Sequence, residues 1–379
     1  MNANSSPRQP VLLTLDRDFL RVPEVSAVSA RHVAYGLRVH GLTEGQVKGL
    51  DVVVAEPRSS SRLTRVWERH GYRVSRVGLA SLVSSPDCLR ELGALTKTLI
   101  AGDPFVGGTL VNRLASRTSS VSQVQCHGDF GDQVWARSTK DRVKRLVAAR
   151  TLPRAGSVRA VSGPQARKIM TTFGVTADSL VVAPVPVAEE FFDASVQNPD
   201  DRRTDVYFVG RMHPERGIDL WAQTADVLSR HGGGFRFHVV GSGPLEPRFR
   251  ERLASQGLRS QTTWHGSLPP RELATLLGTS SSRGVLLNTA PLEAYGRSMA
   301  EAALCGLRVV ALKTSGAEAL TGLFPGIEIV PDADPVSLSH CVAGLGAQDD
   351  LPGDLPAFRR SYRLMQESAM DRLVQSWLW

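Results

Sequence analysis

Two arginines, two glutamates and a few short glycine-bearing loops in the second half of this chain are the residues whose types and spacing could do chemistry. Gly210-Arg211 and Arg216-Gly217 bracket the start of an amphipathic stretch at 217–230 that reads as a helix. A helix N-terminus already carries partial positive charge, and a cation placed there is unfavourable by roughly 0.3–1 kcal/mol unless an anion joins it. A diphosphate would resolve that conflict. Arginines pointing to water, with Glu215 offsetting part of the charge, would resolve it too, and spacing alone leaves the two alternatives even. Glu293 and Glu301 fall before and within an alanine-rich stretch at 298–305 that ends on Gly306, as a helix ends. Carboxylates there could accept the hydroxyls of a sugar or ribose, each charged hydrogen bond contributing on the order of 1.5–3 kcal/mol. An isolated pair of glutamates is more often a solvated helix face. The loop Gly241-Ser242-Gly243-Pro244 opens like a dinucleotide loop, but Glu246 stands where the third glycine of that motif belongs, which disfavours a nicotinamide enzyme.

The elements that must position these residues follow from hydrophobic periodicity. Short β-branched runs at 206–209, 235–240, 262–264, 284–287, 308–312 and 327–330 alternate with amphipathic helical stretches. Strands apolar on both faces are buried on both faces, so a parallel sheet between helices is expected. The first half repeats the pattern less regularly, with strand candidates at 11–15, 51–55, 73–77, 98–102, 122–126 and 158–162. A second α/β unit is implied. Val182-Ala183-Pro184-Val185-Pro186 and the polar stretch 195–203 lie between the halves, the latter read as a linker. Residues 357–379 read as a terminal helix after the breaker run 352–356.

At 379 residues the chain exceeds what one core serves, so two domains are expected. With 42% hydrophobic and 22% charged residues it has the composition of a globular protein. No apolar run is long enough to cross a bilayer, and the short polar start at 1–10 with only 11–13 apolar after it does not suit a secretory signal. Cys88, Cys126, Cys305 and Cys341 show no metal or redox spacing, which fits a cytoplasmic setting. A net charge of +8 admits nucleic acid, an anionic membrane or an anionic substrate as partner. Aromatic residues at 6%, without basic interleaving, make nucleic acid the weaker choice. Arg137, Lys140, Arg142, Lys144, Arg145, Arg150 and Arg154 interleave with Val143, Leu146 and Val147 at helical spacing. That pattern fits an amphipathic helix on anionic lipid at the inner membrane face, and equally an ordinary solvated helix.

In their order, Gly210-Arg211 with Arg216, Gly241 to Pro244, Trp264-His265-Gly266, and Glu293-Ala294-Tyr295-Gly296 with Glu301-Ala302 resemble the retaining glycosyltransferases of family 4. Asp103-Pro104-Phe105, Cys126-His127-Gly128-Asp129-Phe130 and Val158-Arg159-Ala160-Val161-Ser162 extend the resemblance into the first half. It implies an α/β GT-B fold of two facing Rossmann-like domains with parallel sheets and an interdomain cleft. Residues 1–186 would form the acceptor-side domain, 187–356 the domain that binds the donor nucleotide-sugar, and 357–379 a helix packing back on the first.

The resemblance further implies that Arg211 and Arg216 grip the donor diphosphate, that Glu293 holds the transferred sugar and that Glu301 binds the ribose hydroxyls. Gly210, Gly241 and Gly243 would line the donor site, with backbone around Tyr295, Gly296 and Arg297 near the phosphates or sugar. His265 and Ser267 would lie near the nucleobase, and His127 would reach the sugar from the opposite domain. The implied reaction moves a hexose-type sugar from a nucleoside-diphosphate sugar to the hydroxyl of a glycan, lipid-linked or small-molecule acceptor, with retention, as in polysaccharide or glycoconjugate biosynthesis. A leaving-phosphate oxygen would take the acceptor's proton, and neither metal nor cofactor is called for. Closure of the domains would exclude water. An epimerase or phosphorylase on the same fold, or a nucleotide-sugar-binding protein without turnover, are the alternatives. Arg216 stands where the family usually has lysine, and 16–29 contains no glycine where the family commonly has a glycine pair.

Overall fold

The computed structural model describes residues 9–22, 27–57, 60–69, 71–132, 135, 138–197, 203–231, 234–280, 283–324, 326–348 and 353–378. Arg137, residues 198–202 of the expected linker, Pro352 of the breaker run, Trp379 and the first eight residues lie outside these. The chain divides into two compact units, Met1–Pro184 with Gln366–Trp379, and Val185–Met365.

The first unit is built on strands β1 (Val11–Thr14), β2 (Leu50–Glu56), β3 (Thr64–Arg69), β4 (Tyr72–Gly78), β5 (Thr98–Ala101), β6 (Val121–Cys126), β7 (Ser157–Ala160) and β8 (Leu180–Val182). They lie in the order β3-β4-β2-β1-β5-β6-β7-β8, with every pairing parallel except β3 against β4. The expected strands are present. The outermost two, β3 and β8, were not expected, because β3 is an exposed, charged edge and β8 is only three residues long, so neither presents a continuous apolar run. The helix Leu355–Leu378 contributes its final turns to this unit's core, where Ala369, Leu373, Val374 and Trp377 pack with Tyr35, Val39 and Val52. Its end is also held by polar bonds. Trp377 Nε1 donates to Gln123 Oε1 at 2.6 Å, and Thr98 Oγ1 donates to the Trp377 carbonyl at 2.7 Å.

The second unit carries β9 (Thr204–Val209), β10 (Phe235–Val240), β11 (Thr262–Gly266), β12 (Gly284–Asn288), β13 (Arg308–Leu312) and β14 (Ile327–Val330), all parallel, in the order β11-β10-β9-β12-β13-β14. The chain winds outward from β9 in one direction and from β12 in the other, so the order reverses between these two neighbours. On one face Val206, Phe208, Phe237, Val239, Val285 and Leu287 pack with Trp221 and Phe249. Trp221, fully buried, meets Phe208, Phe237 and Phe249 edge to face. Alternation then turns Asp205, Tyr207 and His238 to the other face, where Tyr207 Oη donates to Ser280 Oγ at 2.7 Å. Residues 195–197 of the expected linker belong to the packing of this unit, since Gln197 N donates to the Gly278 carbonyl at 2.9 Å.

Candidate functional site

In an open α/β sheet, ligands bind beyond the carboxyl ends of the strands where the strand order reverses. Here that place lies beyond β9 and β12. A small open pocket occupies it, lined by Phe208, Val209, Arg216, Asn288, Thr289 and Ser298 among others. Two helices start there, Ile218–Arg230 after β9 and Arg297–Leu304 after β12.

The two loops lock together. Gly217 opens the first helix in the left-handed conformation at φ +65°, and a Cβ on it would run into the Thr289 carbonyl. Thr289 Oγ1 in turn donates to the Gly217 carbonyl at 2.9 Å. Only glycine satisfies both demands. The same approach brings Arg216 and Glu293, 77 residues apart, into an ion pair. Arg216 is about one-third exposed and Glu293 largely buried. The cation at this helix N-terminus is therefore matched by Glu293, while Glu215 lies near His213 at 3.9 Å instead. Arg211 is exposed and its side chain has no ion-pair or hydrogen-bond partner among the described residues.

Arg297–Leu304 begins at Gly296, also left-handed at φ +83°, which offers no side chain to cap the first-turn amides. Those amides and the helix dipole make an anion-binding end. Gly316 comes close enough to Gly296 that its own amide donates to the Glu293 carbonyl at 2.8 Å, fixing the loop from behind. Tyr295 is buried and its hydroxyl bonds that of Tyr362. Glu301, one turn into the helix, is buried, and burial raises its carboxyl from 4.5 to about 7, against a smaller opposing effect of Arg297. Arg297 Nε lies 3.1 Å from its Oε1.

The loops after β10 and β11 stand alongside. Gly210 N donates to the Val240 carbonyl at 3.0 Å, and the Gly241 amide donates to the Gly266 carbonyl at 2.7 Å. Gly241 lies against Gly210, and Gly243 lies against Met212. Both glycines thus serve the close approach of three loops. Ser242 and Ser267 share a hydrogen bond of 2.8 Å between hydroxyls. His265 is partly buried, and its Nε2 lies 3.1 Å from Nδ1 of His238.

All the expected residues of the second unit therefore sit on the carboxyl side of one sheet, and Arg216 with Glu293 is the pair brought into direct contact across it. His127 belongs to the first unit, at the end of β6, where its Nε2 lies 3.2 Å from Gln125 Oε1. Its loop is pinned by Gln165, which donates to the carbonyls of Cys126 and Gly128 at 3.2 and 2.8 Å, and by Lys168, which bridges Asp129 and Asp132 at 3.0 and 2.7 Å. Asn288, Thr289 and Ser298 in the pocket were not among the expected residues. Position was the available signal, since the first two close or follow a buried strand and the third opens the next helix.

Residues 203–347 match the family model described as glycosyl transferases group 1. Phosphatidylinositol N-acetylglucosaminyltransferase GPI3 subunit of Saccharomyces cerevisiae is 24% identical over 172 residues, 44% of this chain and 37% of that protein. The 2-deoxystreptamine glucosyltransferase of Streptomyces kanamyceticus is 26% identical over 259 residues, 67% of this chain and 62% of that protein. The matches thus span less than two thirds of either relative's length. Among solved structures, Anabaena HepE, crystallised with UDP and glucose, superposes with a TM-score of 0.66 at 15% identity, covering 96% of this chain and 99% of that one. Residues 203–347 therefore carry the sequence signature of the glycosyl transferases group 1, and the chain shares the two-unit α/β fold of GT-B glycosyltransferases.

Proposed function

We propose that this protein is a retaining glycosyltransferase that moves a hexose-type sugar from a nucleoside-diphosphate sugar to a hydroxyl acceptor in glycan or glycoconjugate synthesis. One observation carries the proposal: Arg216 and Glu293 meet where the strand order reverses, between two helix N-termini. The diphosphate lies against those N-termini with Arg211 and Arg216, which counter the negative charge that grows on the leaving group as the anomeric bond breaks. As the diphosphate engages Arg216, Glu293 is released from its ion pair to hold hydroxyls of the transferred sugar. Glu301 accepts the ribose hydroxyls, and His127 is assigned to the transferred sugar. A leaving-phosphate oxygen takes the acceptor's proton, so the site uses no protein base, and the arginines supply the charge that a metal would otherwise provide.

The acceptor is a glycan, a lipid-linked sugar or a small molecule, and a contact with anionic membrane belongs to the same proposal. The helix Thr139–Thr151 exposes Val143 and Leu146, at 55% and 59%, on a stripe with exposed Lys140, Arg142 and Arg150. Such a stripe suits the boundary between anionic headgroups and acyl chains.

The test is turnover of a panel of nucleotide sugars, each with and without hydroxyl acceptors, by wild type, Arg211→Ala, Arg216→Ala and Glu293→Ala. Acceptor-dependent release of nucleoside diphosphate is expected from wild type, with losses on the order of a hundredfold or more in the variants. Full activity in all three variants would remove the site assignment. Donor conversion without acceptor would identify an epimerase instead.

A further inference from the structure

A chain of polar side chains runs along one face of the second unit's sheet, from the partly exposed Arg236 to His265 near the end of β11, and donor binding does not account for its first members. Arg236 pairs with Asp205 through two hydrogen bonds, one of them NH2 to Oδ2 at 2.9 Å. Asp205 Oδ1 lies 3.1 Å from His238 Nε2, and His238 Nδ1 lies 3.1 Å from His265 Nε2. The rings of Tyr207, His238 and His265 stack in sequence, at 4.7 and 5.4 Å between centroids. Asp205 and Tyr207 come from β9, Arg236 and His238 from β10, His265 from β11, and Ser280, bonded to Tyr207 and Asp205, from the turn beyond the helix Pro270–Gly278. These are the titratable and charged groups facing the two histidines among the described residues.

Donor and acceptor counting determines the protons. Burial alone would raise the Asp205 carboxyl, but hydrogen bonds from His238, Arg236 and Ser280 bring it to about 2, so it is an anion and only accepts. His238 Nε2 must therefore donate to it. In neutral His238 the other nitrogen is then bare and must accept from His265 Nε2–H. Nδ1 of His265, which has no partner among the described residues, is left as a bare acceptor.

We propose that Asp205 and His238 are positioning residues that set the tautomer of His265, so that its Nδ1 accepts a nucleobase N–H of the donor and turns into a donor when the histidine pair takes up one proton. The proposal rests on the donor-site reading above. The step balances in protons: one adds to His265 Nδ1, and the proton shared between the rings moves from His265 Nε2 to His238 Nδ1. The positive charge then lies on His238, beside Asp205. Burial, and secondarily His238, holds the His265 imidazole below its ordinary range, which favours that placement. Acid thus turns the nitrogen facing the base from acceptor to donor, and a base N–H meets another N–H.

The test uses UDP and GDP, whose bases each carry a ring N–H, with inorganic pyrophosphate as the probe that lacks a base. Calorimetry at about pH 8 and about pH 5.5 compares wild type with His238→Gln, whose amide donates to Asp205 and accepts from His265 but takes up no proton. Titration of the phosphates is common to both proteins and drops out of their ratio. On acidification wild type should lose UDP or GDP affinity on the order of tenfold more than His238→Gln, while pyrophosphate separates the two proteins at neither pH. Nitrogen-15 spectra of the wild-type imidazoles should show His265 Nδ1 bare at the higher pH. A protonated Nδ1 there, or a wild-type to variant ratio that does not move with pH for either nucleotide, would overturn the proposal. If wild type binds neither nucleotide nor pyrophosphate, the donor site falls and the base contact with it; if both bind and only the ratio stays flat, the relay alone falls.

Discussion

Replacing Glu301 by glutamine should make the unliganded protein more stable and its donor binding weaker. Glu301 is 7% exposed, and its carboxyl sits at about 7 instead of 4.5 because burial strips it of water. At about 1.4 kcal/mol per pH unit of separation, keeping the ionised form folded costs roughly 3 kcal/mol. The sign follows from where each state holds its proton. Below pH 4.5 the folded and unfolded chains are both protonated, and the cost is absent. Between 4.5 and about 7 the unfolded chain ionises while the folded one does not, so stability falls as pH rises, and the full cost is present above that window. Glutamine abolishes this slope. Urea unfolding followed by tryptophan fluorescence should find the variant equal to wild type near about pH 4 and more stable by roughly 2–3 kcal/mol near about pH 8. Ribose hydroxyls that donate to the carboxylate would favour its charged form, so nucleotide binding near about pH 6 should release a fraction of a proton. Calorimetry in buffers of different ionisation enthalpy reads that release. A stability difference that does not change with pH would refute the burial argument, and binding without proton release would refute the ribose role.

Gly217→Ala should destabilise the second unit by at least about 1–2 kcal/mol from left-handed strain alone, with a further cost as the new methyl displaces the Thr289 loop. Thermal unfolding and nucleotide binding should both register it, and an unchanged midpoint would count against the interlock. Trp377→Ala should cost the first unit roughly 3–5 kcal/mol, since it empties a buried site and leaves Gln123 Oε1 without its donor, as denaturant unfolding can test. Val143→Asp together with Leu146→Asp should weaken sedimentation with anionic vesicles at least about tenfold, while leaving transfer to a soluble acceptor intact. Equal vesicle binding would remove that helix from the membrane contact.

Local sequence carries β9, β12 and β13 of the second unit because each is a buried apolar run, which reads the same in any context. Strand β3, with Arg65, Glu68 and Arg69 in its six residues, gives no such signal; it exists because β4 offers it a free edge. The candidate site divides in the same way. Residues at or beyond strand ends, such as Arg211, Glu293 and His265, are legible because a parallel sheet gathers all its carboxyl ends on one side. Their partners are not. The pairing of Tyr295 with Tyr362, 67 residues on, leaves no trace in local periodicity.

By itself, the amino-acid sequence determined two α/β units, the succession of their main strands along the chain and the set of loops that share one sheet edge, since these follow from hydrophobic period and chain direction. Tertiary structure decided that Glu293 neutralises Arg216, that Glu301 is buried enough to hold its proton near neutrality, and that Asp205 and His238 lie behind His265. Charge state and tautomer depend on water excluded and partners supplied by residues remote in sequence, and only the folded chain brings those together.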